Sequence, residues 1–237
     1  MDTTITTSGV GFSYVLILLL CCLEFYFHYY FITSIKTDLT KKQKAYIMSI
    51  KSSLTLFFVG IYYNYYYLSS GLNSDTFYSI LNEKDSMNFG KLVVLYFTAY
   101  LLMDIYIGNK EYPEYMKTLA GNIHHSIYIL INMLSLYVGD FPIYLLHFLS
   151  ELPTFILGLG SFDESFRNNS LFGATFFSTR ILYHIFLTYL FRNNKLVFYG
   201  SLIALSLHIY WFYGWYTKYG HSLIFGKNSK KKTTKIK

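Results

Sequence analysis

The sequence predicts an all-α fold, a polytopic transmembrane helix bundle of about seven spans, and three observations carry that expectation. Only 14% of the residues are charged, against roughly a quarter in soluble domains. Seven apolar stretches approach the ~20 residues that an α-helix needs to cross a bilayer. The loops between them carry lysine and arginine unevenly, and positively charged short loops stay on the cytosolic side.

The first stretch, residues 10–32, follows MDTTITTSG, which has no basic n-region. Its apolar run is also longer than a secretory signal needs, so it is expected to be retained. Residues 45–69 carry Tyr62, Tyr63, Tyr65, Tyr66 and Tyr67, an aromatic cluster suited to the membrane–water boundary. Residues 89–107 include Asp104, and residues 121–138 open on the adjacent pair His124-His125. Only Gly139 and Asp140 separate that stretch from residues 141–159, so the two are expected to form a tight hairpin. Pro153 then interrupts the fifth stretch and frees backbone carbonyls where lipid cannot satisfy them. Residues 171–191 include Arg180, and residues 196–216 end beside Trp211 and Trp215. With the N-terminus luminal and the C-terminus cytosolic, the cytosolic side collects fourteen of the 20 lysines and arginines and the opposite side four. The chain is organised as residues 1–44 with the first helix, a transmembrane domain over 45–216 and a basic cytosolic tail over 217–237.

The net charge of +7 does not point to nucleic acid. Lys227, Lys230, Lys231, Lys232, Lys235 and Lys237 all lie in the tail. No folded basic face accompanies them, so the tail reads as a topology determinant or a contact with anionic lipid. Cys21 and Cys22 are the only cysteines, and an adjacent pair makes neither a disulfide framework nor a zinc cage. No metal is expected from seven histidines with one adjacent pair. Position 121, where an HxxHH box needs its first histidine, is Gly121, which argues against a membrane di-iron oxygenase and a fatty-acid elongase. A Gly-rich phosphate loop, a GxSxG elbow and a CxxC are also absent from the sequence, and no cofactor is expected.

Ionisable residues within apolar helices are functional candidates by default, because lipid offers them no partner. Three pairs stand one α-helical turn apart: Glu24 with His28, His147 with Glu151, and Arg180 with His184. Arg180 is expected to pair with a carboxylate from another span, Asp104 or Glu151. On the fourth span His125 and Asn132 share one side, and His124 and Tyr128 a neighbouring one. A histidine oriented by a neighbouring hydrogen bond acts as a general base, or as a nucleophile toward a thioester.

The order and spacing of four segments resemble the TLC domain, the family named for the translocation-associated membrane protein, the yeast longevity-assurance ceramide synthase subunit and the neuronal ceroid lipofuscinosis membrane protein. They are YFTAYLLMDIYI with Asp104, GNIHHSIYIL with His124 and His125, HFLSELPTFIL with Glu151 and Pro153, and FFSTRILYHIF with Arg180. The resemblance implies an internal membrane such as the endoplasmic reticulum, membrane lipids as partners, and a lipid cavity lined by Glu151, Arg180, His147 and Asn132. It also implies a role in lipid composition, binding or trafficking. The alternative it offers is an N-acyltransferase that joins acyl-CoA to a sphingoid base, with His124, His125 and Asp104 as the catalytic residues. Ceramide synthases follow the histidines with a run ending in paired aspartates. Here Asp140 stands alone and His147 and Glu151 occupy that region, so the sequence is more similar to the TLC-domain proteins implicated in membrane lipid composition.

Overall fold

The computed structural model describes residues 7–225, and over them the chain is helical, with short π and 3-10 turns and no strand. Five helices are long and apolar enough to cross a membrane: Ser13–Ile35, Lys41–Ser69, Ser86–Glu111, Phe141–Phe162 and Lys195–Leu223. The protein is therefore read as an integral, multi-pass helical chain. The start of the N-terminal leader (residues 1–6) and the six tail lysines from Lys227 onward lie outside the described residues.

Two of the seven expected stretches are helical without giving such a span. In residues 121–138 the backbone at Gly121 is non-helical (φ −94°, ψ −118°). The helix His124–Val138 beyond it has 15 residues, about 22 Å of rise against a hydrocarbon core of about 30 Å. Gly121 is fixed there because a Cβ would come within 2.6 Å of the Met116 Cα. In residues 171–191 a π turn, Phe177–Leu182, interrupts the helix, and Ser178, Thr179, Arg180 and His184 dilute its apolar character.

The chain forms two compact units, Met1–Arg167 and Asn168–Lys237. The first holds α1 (Thr7–Ile35), α2 (Lys41–Ser69), α3 (Ser74–Glu83), α4 (Ser86–Glu111), α5 (Pro113–Met116), α6 (His124–Val138), α7 (Phe141–Leu146) and α8 (Leu152–Phe162). The second holds α9 (Asn169–Phe176), α10 (Tyr183–Leu190), α11 (Lys195–Trp215) and α12 (His221–Phe225).

In the first unit α2 is the central helix, packed along α8, α4 and the 3-10 stretch His147–Glu151, while α1 and α6 pack on α4. A capping box sets its start: Thr40 accepts from the Gln43 backbone N–H, and the Gln43 side chain accepts from the Thr40 N–H at 2.9 Å. The Gln43 amide then donates to the Phe162 carbonyl at the far end of α8 at 2.8 Å. At the other end Tyr63 donates to the Ser86 carbonyl at 2.6 Å, and Tyr62 lies 2.7 Å from the Ser86 hydroxyl, tying α2 to the start of α4.

The turn expected at Gly139-Asp140 is present. Gly139 adopts a left-handed conformation (φ 86°) as the cap of α6, and Pro142 sits in the first turn of α7, where its missing N–H is no loss. The helix break at Pro153 is resolved within the protein. A continuous α-helix would need a Pro153 N–H for the Leu149 carbonyl. The chain instead tightens to 3-10 over His147–Glu151, and the Leu152 N–H takes that carbonyl. Asn64 on α2 supports the tightened stretch by donating to the Leu146 carbonyl at 3.0 Å and to its own Gly60 carbonyl at 2.7 Å. Asn64→Leu removes both hydrogen bonds and is expected to lower stability by about 1–3 kcal/mol. Thermal unfolding in mild detergent reads this directly, and an unchanged midpoint would show that Asn64 does not support the 3-10 stretch.

Candidate functional site

Helices α4 and α6 cross in opposite directions and touch through two polar pairs. Thr98 and Asp104 are six residues apart on α4, and Asn132 and His125 are seven apart on α6. Those spacings correspond to about 9 and 10.5 Å of rise, so both pairs come into register together. Asn132 donates to the Thr98 hydroxyl at 3.0 Å, and the Thr98 hydroxyl donates to the Val94 carbonyl at 2.8 Å. At the other pair the His125 Nδ1 lies 3.4 Å from an Asp104 carboxylate oxygen, with only 8% and 7% of the two side chains exposed. Asn132 and Thr98 are buried as well.

A third group completes the Asp104 environment. Tyr112 leaves α4 with non-helical backbone (φ −142°, ψ 55°) ahead of Pro113, and its hydroxyl turns back to donate to the other Asp104 oxygen at 2.6 Å. Gly108 makes room, since a Cβ there would lie 2.8 Å from the Tyr112 ring. Burial, and next the Asp104 carboxylate, push the Tyr112 phenol well above its ordinary pKa, so it remains a protonated donor. The Tyr100 ring meets the His125 ring edge-on at 5.9 Å. Glu151 ends the 3-10 stretch of the same unit.

His124 is half-buried beside this group, with its ring 5.6 Å from that of His125 and 4.4 Å from that of Tyr128. Of the predicted residues, Asp104 and His125 thus meet in the first unit, His124 adjoins them, and Asn132 joins the same two helices one contact away. His147 and Glu151 flank the 3-10 stretch. Residues three apart eclipse in such a turn, so the α-helical spacing assumed for that pair does not hold over it. Arg180 belongs to the second unit, where its guanidinium lies 5.3 Å from the centroid of Phe176 and its charge reaches His184. Glu24, expected beside His28, forms an ion pair with Lys51 of α2.

No protein-family model, curated protein or solved structure matches this chain.

The second unit has a polar knot of its own that hydropathy and spacing did not reveal. His184 Nε2 lies 2.8 Å from the Ser201 hydroxyl, which is 2.6 Å from the Thr188 hydroxyl. The His208 ring packs edge-on to that of His184 at 5.1 Å. Hydroxyls and imidazole bonded across α10 and α11 in this way tie the two helices together. Among the described residues no group of three or more His, Cys, Asp or Glu is placed to hold a metal ion.

With Nδ1 turned toward Asp104, Nε2 is the His125 nitrogen left to accept a proton. A carboxylate beside an imidazole favours the cation formed when it takes that proton. The centre can therefore act as a general base, or hold the polar end of a bound amphiphile between carboxylate and imidazole.

Proposed function

We propose that the chain is a TLC-type membrane protein that binds and handles membrane lipid at the Asp104–His125 centre, in the endoplasmic reticulum or another internal membrane. The observation that carries the reading is the buried contact between Asp104 and His125, closed by Tyr112. Such a group within apolar helices suits a ligand with a hydrocarbon body and a polar, hydrogen-bonding end. The family assignment rests on the four sequence segments alone, and they include Asp104, His125 and Glu151.

A second reading, acyl transfer, draws support from the orientation of the imidazole by a carboxylate. In that reaction a lipid amine attacks the thioester of acyl-CoA. The amide C–N bond forms, the C–S bond breaks, His125 takes the amine proton, and the proton passes to the departing thiolate. His124, half-buried alongside, would contact the acyl carbonyl.

Purified protein in nanodiscs, extracted and analysed by lipid mass spectrometry, tests both. Wild type is expected to retain a selected lipid class over the bulk membrane, and His125→Ala and Asp104→Asn are expected to lose at least fivefold of that enrichment, on the order of the 1 kcal/mol carried by one hydrogen bond. Folded variants that keep the full enrichment would sink the lipid site. Conversion of labelled acyl-CoA to a labelled amide by wild type and not by His125→Ala establishes the transferase, whereas enrichment without conversion leaves lipid binding.

A further inference from the structure

Glu24 and Lys51 form an intramembrane ion pair that the centre on α4 and α6 does not use. Glu24 lies eleven residues before the Ile35 end of α1, about 16 Å along the helix. Its carboxylate pairs with the Lys51 ammonium of α2, which also lies 5.3 Å from the centroid of Phe25. Lys51 stands ten residues into α2, about 15 Å along the helix, so both charges sit deep in the bilayer.

This pair is open where the Asp104–His125 pair is closed. In the first, 44% of the Glu24 side chain and 31% of that of Lys51 remain exposed, against 7% and 8% for Asp104 and His125. On α1 the residues one and two turns away on the Glu24 side, Leu20, Phe27 and Phe31, are exposed at 56%, 64% and 61%. The open edge of the ion pair is thus set within an apolar stripe. Among the five candidate spans α1 is the least covered, with 11% of its window buried. Hydrocarbon has no group to solvate the open edge, and a charge left facing lipid at this depth is strongly disfavoured.

The geometry points to a second copy of this chain covering that edge, in a symmetric dimer through α1 in which the two Glu24–Lys51 pairs close on each other. The exposed edge offers one carboxylate and one ammonium together, so it is complementary to itself. A two-fold axis along the membrane normal carries every residue to the same depth in the copy. Glu24 then faces Lys51 of the partner subunit, Lys51 faces Glu24 of the partner subunit, and four charges alternate around the axis. The flanking leucine and phenylalanine side chains pack outside them. A foreign helix would have to bring both signs of charge to that depth in the right order, which a second copy does by symmetry.

The test is energy transfer between donor- and acceptor-labelled full-length protein in phosphatidylcholine vesicles. Wild type is expected to associate, and the double variant Glu24→Leu with Lys51→Leu to associate about tenfold more weakly, the scale of an interhelical polar contact in lipid. The exchange variant, Glu24→Lys with Lys51→Glu, keeps the pair within one chain and so keeps the fold. It is expected to associate with itself and to exclude wild type, since a mixed dimer sets like charges opposite each other. A wild type that stays monomeric as lipid is withdrawn overturns the proposal. So does an exchange variant that mixes with wild type as freely as with itself.

Discussion

Asp104→Ala is expected to lower the stability of the protein by about 3–5 kcal/mol, the cost of breaking a buried pair by removing one member. The carboxylate is the common partner of two buried groups, the Tyr112 hydroxyl at 2.6 Å and the His125 Nδ1 at 3.4 Å. Its loss strands both where neither water nor lipid can reach them. Asp104→Asn keeps an acceptor for Tyr112 and nearly the same volume, so it is expected to cost about half as much. His125→Ala removes the other member, and the double variant with Asp104→Ala is expected to fall short of the summed losses by about 0.5–3 kcal/mol. Unfolding in mild detergent measures all of these. Losses that simply add would show that the two side chains do not interact.

Gly60→Val is expected to cost about 3 kcal/mol or more, at the upper end of the overpacking range. A Cβ on Gly60 would lie 2.5 Å from the Leu149 nitrogen and 2.7 Å from the Phe148 carbonyl carbon. These are backbone atoms of the 3-10 stretch, held by the Leu152 N–H on one side and by Asn64 on the other, so no rotamer change relieves the overlap. The helix must separate from the stretch that carries Glu151, and the substitution should therefore impair lipid retention as well as stability. Gly200→Ala is the control. It lies within α11 with nothing near the added carbon, and it is expected to be neutral or to stabilise by about 0.5–1 kcal/mol. Equal behaviour of the two variants would show that the close approach at Gly60 is not a constraint.

The all-α, membrane-spanning character was legible because it depends on composition and on run length, both properties of the chain taken in order. The same holds for Asp104, His125 and Asn132, which stand out as polar letters inside apolar helices. Their partners were less accessible. Tyr112 is eight residues from Asp104, which in an unbroken helix is about 12 Å away, and it returns only because Pro113 ends α4. Thr98 carries no signal of its own in the sequence, and its role comes from Asn132 lying opposite it on α6. The spacing that favoured His28 for Glu24 is a property of one helix, whereas Lys51 reaches it from 27 residues away on another. The break at Gly121 escaped hydropathy altogether, since an apolar run reads the same whether or not its backbone is helical. Its cause, the approach of the Met116 backbone, is a tertiary contact.

The bond from Gln43 to the Phe162 carbonyl joins residues 119 positions apart. At a synthesis rate of roughly 5–20 residues per second, Phe162 emerges some 6–24 s after Gln43. Through that interval α2 must reside in the translocation site or the lipid without α8 and with a row of polar side chains uncovered. Several of those side chains carry their own provision for the delay. Ser53 donates to the Ser49 carbonyl at 2.6 Å, Thr55 to that of Lys51 at 3.1 Å and Asn64 to that of Gly60 at 2.7 Å, bonds that need nothing beyond α2 itself. The helix can be inserted alone and docked later, and the interhelical contacts of Gln43 and Asn64 are added on docking to a segment already at ease in the membrane.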